Sequence, residues 1–252
     1  MTLESPGQEP VILDLGTGLR FYGEVLAARG EAFRGSALVT HLHWDHVQGL
    51  PFFVPVLQPG SRLDVYGPPT ERGSLAESFD VFLRPPYFPV SVDELPGEIR
   101  FHDVLDDDFA LEGAKVRARS VPHVGPTCGF RVEMGGRAVA YISDHQMPVD
   151  GSHAVVDEVL ELCDGVDLLI HDAQYTPEEF AAKAHWGHST IDFAVFVAAQ
   201  AGVRRLVPFH HDPGHDDDAM DRLLDGARAL PGASTIDEVL AAHEGLHISF
   251  DG

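Results

Sequence analysis

A chain of 252 residues, 44% of them hydrophobic, can bury a sizeable core as one large domain or a tight pair of halves, and a single domain over 1–252 is the expected organisation. Its 17 Lys and Arg face 40 Asp and Glu, a net charge of −23, so no basic cluster able to neutralise many phosphates is visible; a small anionic substrate is expected and a long nucleic acid is not. No stretch is apolar and long enough to span a bilayer, and MTLESPGQEP lacks the basic and apolar regions of a signal peptide, so no membrane partner and a cytoplasmic location are expected.

Val11–Leu15 reads as a strand closed by Gly16-Thr17-Gly18, and Leu19–Arg29 as a helix stopped at Gly30. Ala37–Thr40 reads as a short strand, Pro51–Gly60 as a loop, and Arg62–Tyr66 as another strand. RPPYFPVSVDELPG, 84–97, is expected to be an irregular surface segment, either a pocket border or a plain connection. Strands follow at Lys115–Val121, Thr127–Glu133 and Ala138–Ser143, with Gly135-Gly136 marking a hairpin. Beyond them, Ala154–Leu162, Pro177–Ala184, Thr190–Ala201 and Asp216–Leu230 have helical character. Asp167–His171, Arg205–Phe209 and Leu246–Phe250 read as strands. Groups of strands alternating with helices suggest sheets covered by helices. Cys128 and Cys163 form no CxxC pair and are expected to be buried small hydrophobes. The acidic runs Asp106–Asp108 and Asp216–Asp218 are expected at solvated loop or helix N-terminal positions.

HLHWDH, residues 41–46, concentrates three histidines and an aspartate in six positions. On a strand, alternation would point His41 and His43 the same way, onto one metal. A turn after them would offer Asp45 and His46 to a second. Further donors stand at the ends of expected strands: His123 in VPHVGP, Asp144 in ISDH and His210 in FHHDP. His41, His43 and His123 would then serve one ion, Asp45, His46 and His210 the other, with Asp144 bridging. Imidazole with carboxylate suits two divalent ions, Zn²⁺ first, with Mn²⁺ and iron compatible. A slip of one residue at the strand end would put His211 in place of His210. The four fixed positions of HxHxDH would arise by chance in on the order of one such sequence in a few hundred.

HLHWDH, then VPH, YISD and LVPFH, over nearly the whole chain, resembles the metallo-β-lactamase superfamily. The resemblance implies an α/β fold, an αββα sandwich of two mixed β-sheets packed face to face with helices outside, and a two-metal site at one sheet edge. LDLGTGLR looks like the Gly-turn of members that act on phosphodiesters, with its glycines there for tight turning and Asp14 structural. DLLIHDAQY and HWGHSTIDFAVFVAAQAGVRRLVPFH are similar to the ribonuclease Z and small cyclic-phosphodiesterase branch. There, the HST histidine is a catalytic group that is not a ligand, a position His188 matches. An acidic residue orients it; HDA stands here for that branch's HEA, which gives the part to Asp172. Asp45 is counted in the catalytic group as well as among the ligands. The long Gly- and basic-rich insertion of ribonuclease Z is absent, which ranks RNA cleavage below a small or cyclic phosphodiester. The expected activity is therefore attack by a metal-bridging hydroxide on such a diester. Hydrolysis of a carbon ester, lactone or thioester is the alternative, and a non-catalytic metal or nucleotide sensor a third reading. The resemblance also implies a homodimer.

Overall fold

In the computed structural model, which describes residues 1–250, the chain divides into two units, Met1–Gly113 and Ala114–Gly252. The first unit carries β1 (Thr2–Leu3), β2 (Val11–Leu13), α1 (Leu19–Ala28), β3 (Arg34–Leu38), α2 (Trp44–Val47), β4 (Arg62–Gly67), α3 (Leu75–Phe82), β5 (Glu98–Asp103) and β6 (Asp108–Leu111). Its sheet runs β1-β2-β3-β4-β5, with β1 antiparallel to β2 and the other neighbours parallel. β2, β3 and β4 are buried along most of their length, as parallel strands covered on both faces should be. Their core gathers Leu15, Leu19, Leu50, Phe53, Leu63, Val65, Leu75 and Phe79, all buried.

The second unit carries β7 (Ala114–Ser120), β8 (Cys128–Met134), β9 (Arg137–Ile142), α4 (Asp157–Cys163), β10 (Leu168–Asp172), α5 (Pro177–Lys183), α6 (Ile191–Gln200), β11 (Arg205–Phe209), α7 (Asp217–Ala229) and β12 (Glu238–Val239). Within it the strand order is β12-β11-β10-β9-β8-β7. β7, β8 and β9 form an antiparallel meander, and β9 to β12 are parallel. Gly135 and Gly136, at φ 60° and 77°, make the two-residue turn between Met134 and Arg137, the left-handed pair that a type I′ hairpin demands. α6 is apolar almost all round, and Ile191, Phe193, Ala194, Val195, Val197 and Ala198 are all buried. Truncating Phe193, fully buried there, would cost about 3–5 kcal/mol. That helix is therefore a firm anchor for what precedes it.

Several sequence expectations need correction. β3 ends at Leu38, so His41 and His43 lie on the segment after the strand and not on it. Pro51–Gly60 contains two short 3₁₀ turns, Leu50–Phe52 and Val54–Leu57, each with a proline at its start where a missing N–H is tolerated. Leu246–Phe250 is not a strand; the final strand is Glu238–Val239. α3, β5 and β6 were not anticipated at all. α3 begins with a capping box in which Ser74 Oγ accepts from Glu77 N, a signature visible in SLAE. The other expected elements are present within about three residues at their ends. Cys128 and Cys163 are buried and in no disulfide, Asp106–Asp108 are exposed, and Asp216 caps α7 through Ala219 N.

Candidate metal centre

In the first unit, the turn after β2 and the segment after β3 are clasped together by backbone. Asp14 N donates to Leu38 O, Leu15 N to His46 O at 2.7 Å, and Gly49 N to Leu15 O at 2.7 Å. Gly16 and Gly49 are needed for this approach. A Cβ at Gly49 would fall 2.0 Å from Gly16 O, and one at Gly16 would fall 2.6 Å from Asp45 O. Neither glycine has a positive φ, and Gly18 sits at φ −60° with open space around it. In LDLGTGLR it is thus Gly16 that close backbone contact requires, while the chain does turn there, Leu19 N donating to Gly16 O at 3.0 Å.

Asp14 has more than the structural part read from the sequence. Its buried carboxylate, held on a residue with φ 56°, accepts Thr40 N at 2.7 Å and His46 Nδ1–H at 2.8 Å. That bond fixes the His46 tautomer and leaves Nε2 to coordinate, the usual way an outer carboxylate orients a histidine ligand. His46 Nε2 lies 3.1 Å from Asp45 Oδ2, and His41 Nε2 lies 2.8 Å from His43 Nδ1. The four side chains of HxHxDH therefore converge in two pairs, even though no strand alternation aligns them.

In the second unit the donors stand at strand ends. His123 follows β7, Asp144 follows β9, Asp172 ends β10 and His210 follows β11. The His123 side chain is buried and its Nδ1–H donates to Gly187 O at 2.7 Å, which leaves Nε2 toward Asp144. Asp144 is 2% exposed. Its Oδ2 lies 3.7 Å from His123 Nε2, and its Oδ1 lies 3.7 Å from His210 Nε2. Two donors on one ion at bond lengths near 2.0–2.2 Å can be at most about 4.4 Å apart. The 3.7 Å separations, too long for hydrogen bonds, satisfy that bound on both oxygens. The second unit's donors fit divalent metal, with one Asp144 oxygen facing each of two imidazoles. His210 itself sits at φ 60°, a left-handed conformation that His adopts more readily than bulky residues. His211, half-buried, has its pKa lowered by burial first.

His188 is placed by the start of α6. Thr190 Oγ1 caps the helix through Phe193 N, and Ser189 Oγ donates to His145 O at 2.6 Å. Tyr175 N donates to Ser189 O, and Ile191 N to Tyr175 O. The HST segment is thus strapped on both sides. His188 Nδ1–H donates to Asp172 Oδ2 at 2.9 Å, against 3.7 Å to Asp144 Oδ2. Asp144, His188 and His210 nevertheless bring one donor atom each within 4.8 Å of one another, so His188 faces the same space as two metal-type donors. Asp172 is fully buried and also accepts His145 N at 2.9 Å and Gln174 N at 3.1 Å.

From the sequence, His145 and His171 read as histidines that support the ligands or lie on the surface, not as ligands. Burial, ahead of the neighbouring imidazoles, holds His145 well below the ordinary histidine range, and burial lowers His171 too. His171 Nδ1–H donates to Asp172 O at 2.7 Å, and His145 Nδ1–H to His171 Nε2 at 2.9 Å. This neutral relay braces the backbone around Asp144 and Asp172; the only sequence hint was that both histidines adjoin an aspartate. His185 is exposed.

Mixed sheets, helices and strand-end His and Asp clusters define a metal-dependent hydrolase of the metallo-β-lactamase fold. The chain belongs to the beta-lactamase superfamily, whose domain model matches residues 31–211. Among curated relatives, ribonuclease Z of Ignicoccus hospitalis is 28% identical, over 87% of this chain and 83% of its own. Ribonuclease Z of Haloferax volcanii is 30% identical, over 80% of this chain and 75% of its own. Among solved structures, a diphosphatase of the PhnP family matches with a TM-score of 0.68 at 23% identity, covering 99% of this chain and 83% of that one. The ribonuclease Z branch read from HDA and HST is the branch of these relatives. They overturn one expectation, that no long nucleic acid is a partner. Net charge misled because it averages the whole surface, whereas bound divalent cations set the local sign at a metal site. Among the described residues no helix is long and apolar enough to cross a membrane.

Proposed function

We propose that the chain hydrolyses phosphodiester bonds, with RNA as a substrate, at a centre of two divalent ions. The observation that carries this reading is His188, held by buried Asp172 at 2.9 Å beside Asp144 and His210. His41, His43 and His123 would hold one ion, Asp45, His46 and His210 the other, and Asp144 both. The mixed nitrogen and oxygen donors favour Zn²⁺, and Mn²⁺ or iron would fit the same set. When bound, such ions supply a nucleophile at neutral pH and offset charge developing on phosphate oxygens.

The rest of the chemistry belongs to the chain. With Nδ1–H given to Asp172, His188 has Nε2 free to carry a proton to the leaving oxygen. Asp172 fixes the tautomer and the ring plane, with its own oxygens fixed by His145 N and Gln174 N. Gly187, next to His188, holds His123 through its carbonyl, so one loop sets both a ligand and the acid. The similarity to ribonuclease Z enzymes supports RNA as the substrate class.

Metal-loaded protein assayed on short RNA, a cyclic nucleotide, an aryl phosphodiester and a lactone tests this directly. Turnover of RNA or another phosphodiester is expected. Turnover of the lactone alone would defeat the proposal in favour of carbonyl chemistry, and no turnover of any diester by fully loaded protein would favour a sensor.

A further inference from the structure

Trp44 stands between His43 and Asp45, two of the proposed ligands, yet it is 63% exposed. Tryptophan is normally well covered, so an open indole one residue from metal donors calls for a use. The local fold does not need the ring. α2 closes through backbone bonds, His46 N to His43 O and Gln48 N to Trp44 O. Nor is the ring loose. It leans on Phe82 with centroids 5.5 Å apart at 59°, Phe82 leans on Phe79 at 5.0 Å, and Phe79 is fully buried in the first unit's core. Two phenyl rings therefore brace one side of an indole that keeps most of its surface open.

Charge narrows what such a surface can take. Arg84, two residues beyond Phe82, is engaged by Asp80 at 2.9 Å, and lysine and arginine number only 17 in the chain. A neutral contact would therefore add to what the metals give a polyanion. A nucleobase has such a contact to offer, because every base presents a π-face to an aromatic ring whatever its hydrogen-bonding edge. We propose that Trp44 is the stacking platform for the nucleobase next to the phosphodiester that is cut. This rests on the phosphodiesterase reading above and adds to it a base-tolerant substrate contact.

The test pairs a protein change with a substrate change in the full-length, metal-loaded enzyme. Trp44→Ala should lower kcat/KM on a short RNA by about ten- to a hundred-fold, mainly through KM, and Trp44→Phe should recover most of the loss. The same RNA with an abasic residue beside the scissile bond should be a correspondingly poor substrate of the wild type. Stacking predicts that the two losses do not multiply, because each removes the same contact; fully multiplicative losses at both flanking positions would overturn it. A second readout is independent of turnover. In a Trp186→Phe background, which leaves Trp44 as the one tryptophan, a nucleoside monophosphate should quench the fluorescence saturably. Saturable quenching without turnover of any diester would keep the platform and sink the phosphodiesterase reading. Turnover without quenching would sink the platform and keep the enzyme. Conversion of a dimer to a monomer by Trp44→Ala would assign the ring to a subunit interface and overturn the proposal.

Discussion

The carbonyl of Gly187 accepts the Nδ1–H of His123 at 2.7 Å, across 64 residues of chain. Gly187 is at φ 98°, and a Cβ there would lie 2.5 Å from that same Nδ1. Glycine is thus required twice, for the backbone conformation and for the imidazole's approach. Gly187→Ala should cost about 1–3 kcal/mol of stability from strain alone and push the His123 ring aside. Thermal unfolding and metal content of the same preparation check this. Full metal content with an unshifted melting temperature would show that the loop gives way freely.

Asp14→Asn tests a residue with no direct claim on metal. It removes the carboxylate that fixes the His46 tautomer but suits a left-handed φ, since Asn tolerates that region. Loss of such an outer partner typically weakens metal affinity 10- to 100-fold. Chelator competition on folded protein should show a loss of that size. Unchanged affinity would return Asp14 to a purely structural part.

The sequence carried the site further than it carried the fold's periphery. Strand-end donors were legible because β9, β10 and β11 hold apolar runs and β7 alternates, and a His or Asp stands at or within three residues of each strand's end. α3 and β5 were not, because LAESFDVF is short and EIRFHD alternates weakly, so tertiary packing rather than pattern decides them. The convergence of His41 and His43 was expected for the wrong reason. Backbone clasping by Gly16 and Gly49, not strand alternation, sets that segment, and no local spacing announces a contact between residues 30 apart. Asp14 and Gly187 were missed as outer supports for the same reason: their partners, His46 and His123, are 32 and 64 residues away.

Two metals per chain are expected by elemental analysis, with Zn²⁺ the main ion after purification without added chelator. Chelation should lower the melting temperature, because ions that bind only the folded state stabilise it by mass action. Within this set His210 and His211 divide sharply. His210 Nε2 lies 3.7 Å from Asp144 Oδ1, so His210→Ala should lose one ion while His211→Ala retains both. The opposite pattern would move the ligand by one residue, and a single ion at full occupancy in the wild type would end the two-metal proposal.

The most informative substitution is His188→Ala. The ring's Nδ1 is committed to Asp172 and the proposed donor sets close without it. Metal content and folding should therefore stay near wild type, while turnover of a phosphodiester falls by roughly 10²–10⁴, the usual contribution of a positioned acid. Asp172→Asn should cost less activity, because it loosens the ring without removing it. It should cost more stability, since the buried carboxylate also accepts two backbone N–H groups, from His145 and Gln174. The loss in His188→Ala should shrink when the leaving group is a nitrophenolate, which hardly needs a proton. Equal losses for good and poor leaving groups would assign His188 to binding rather than proton transfer. Loss of an ion in His188→Ala would instead make it a ligand, through the space it shares with Asp144 and His210. A wild-type rate on every diester would leave carbonyl hydrolysis as the chemistry to pursue.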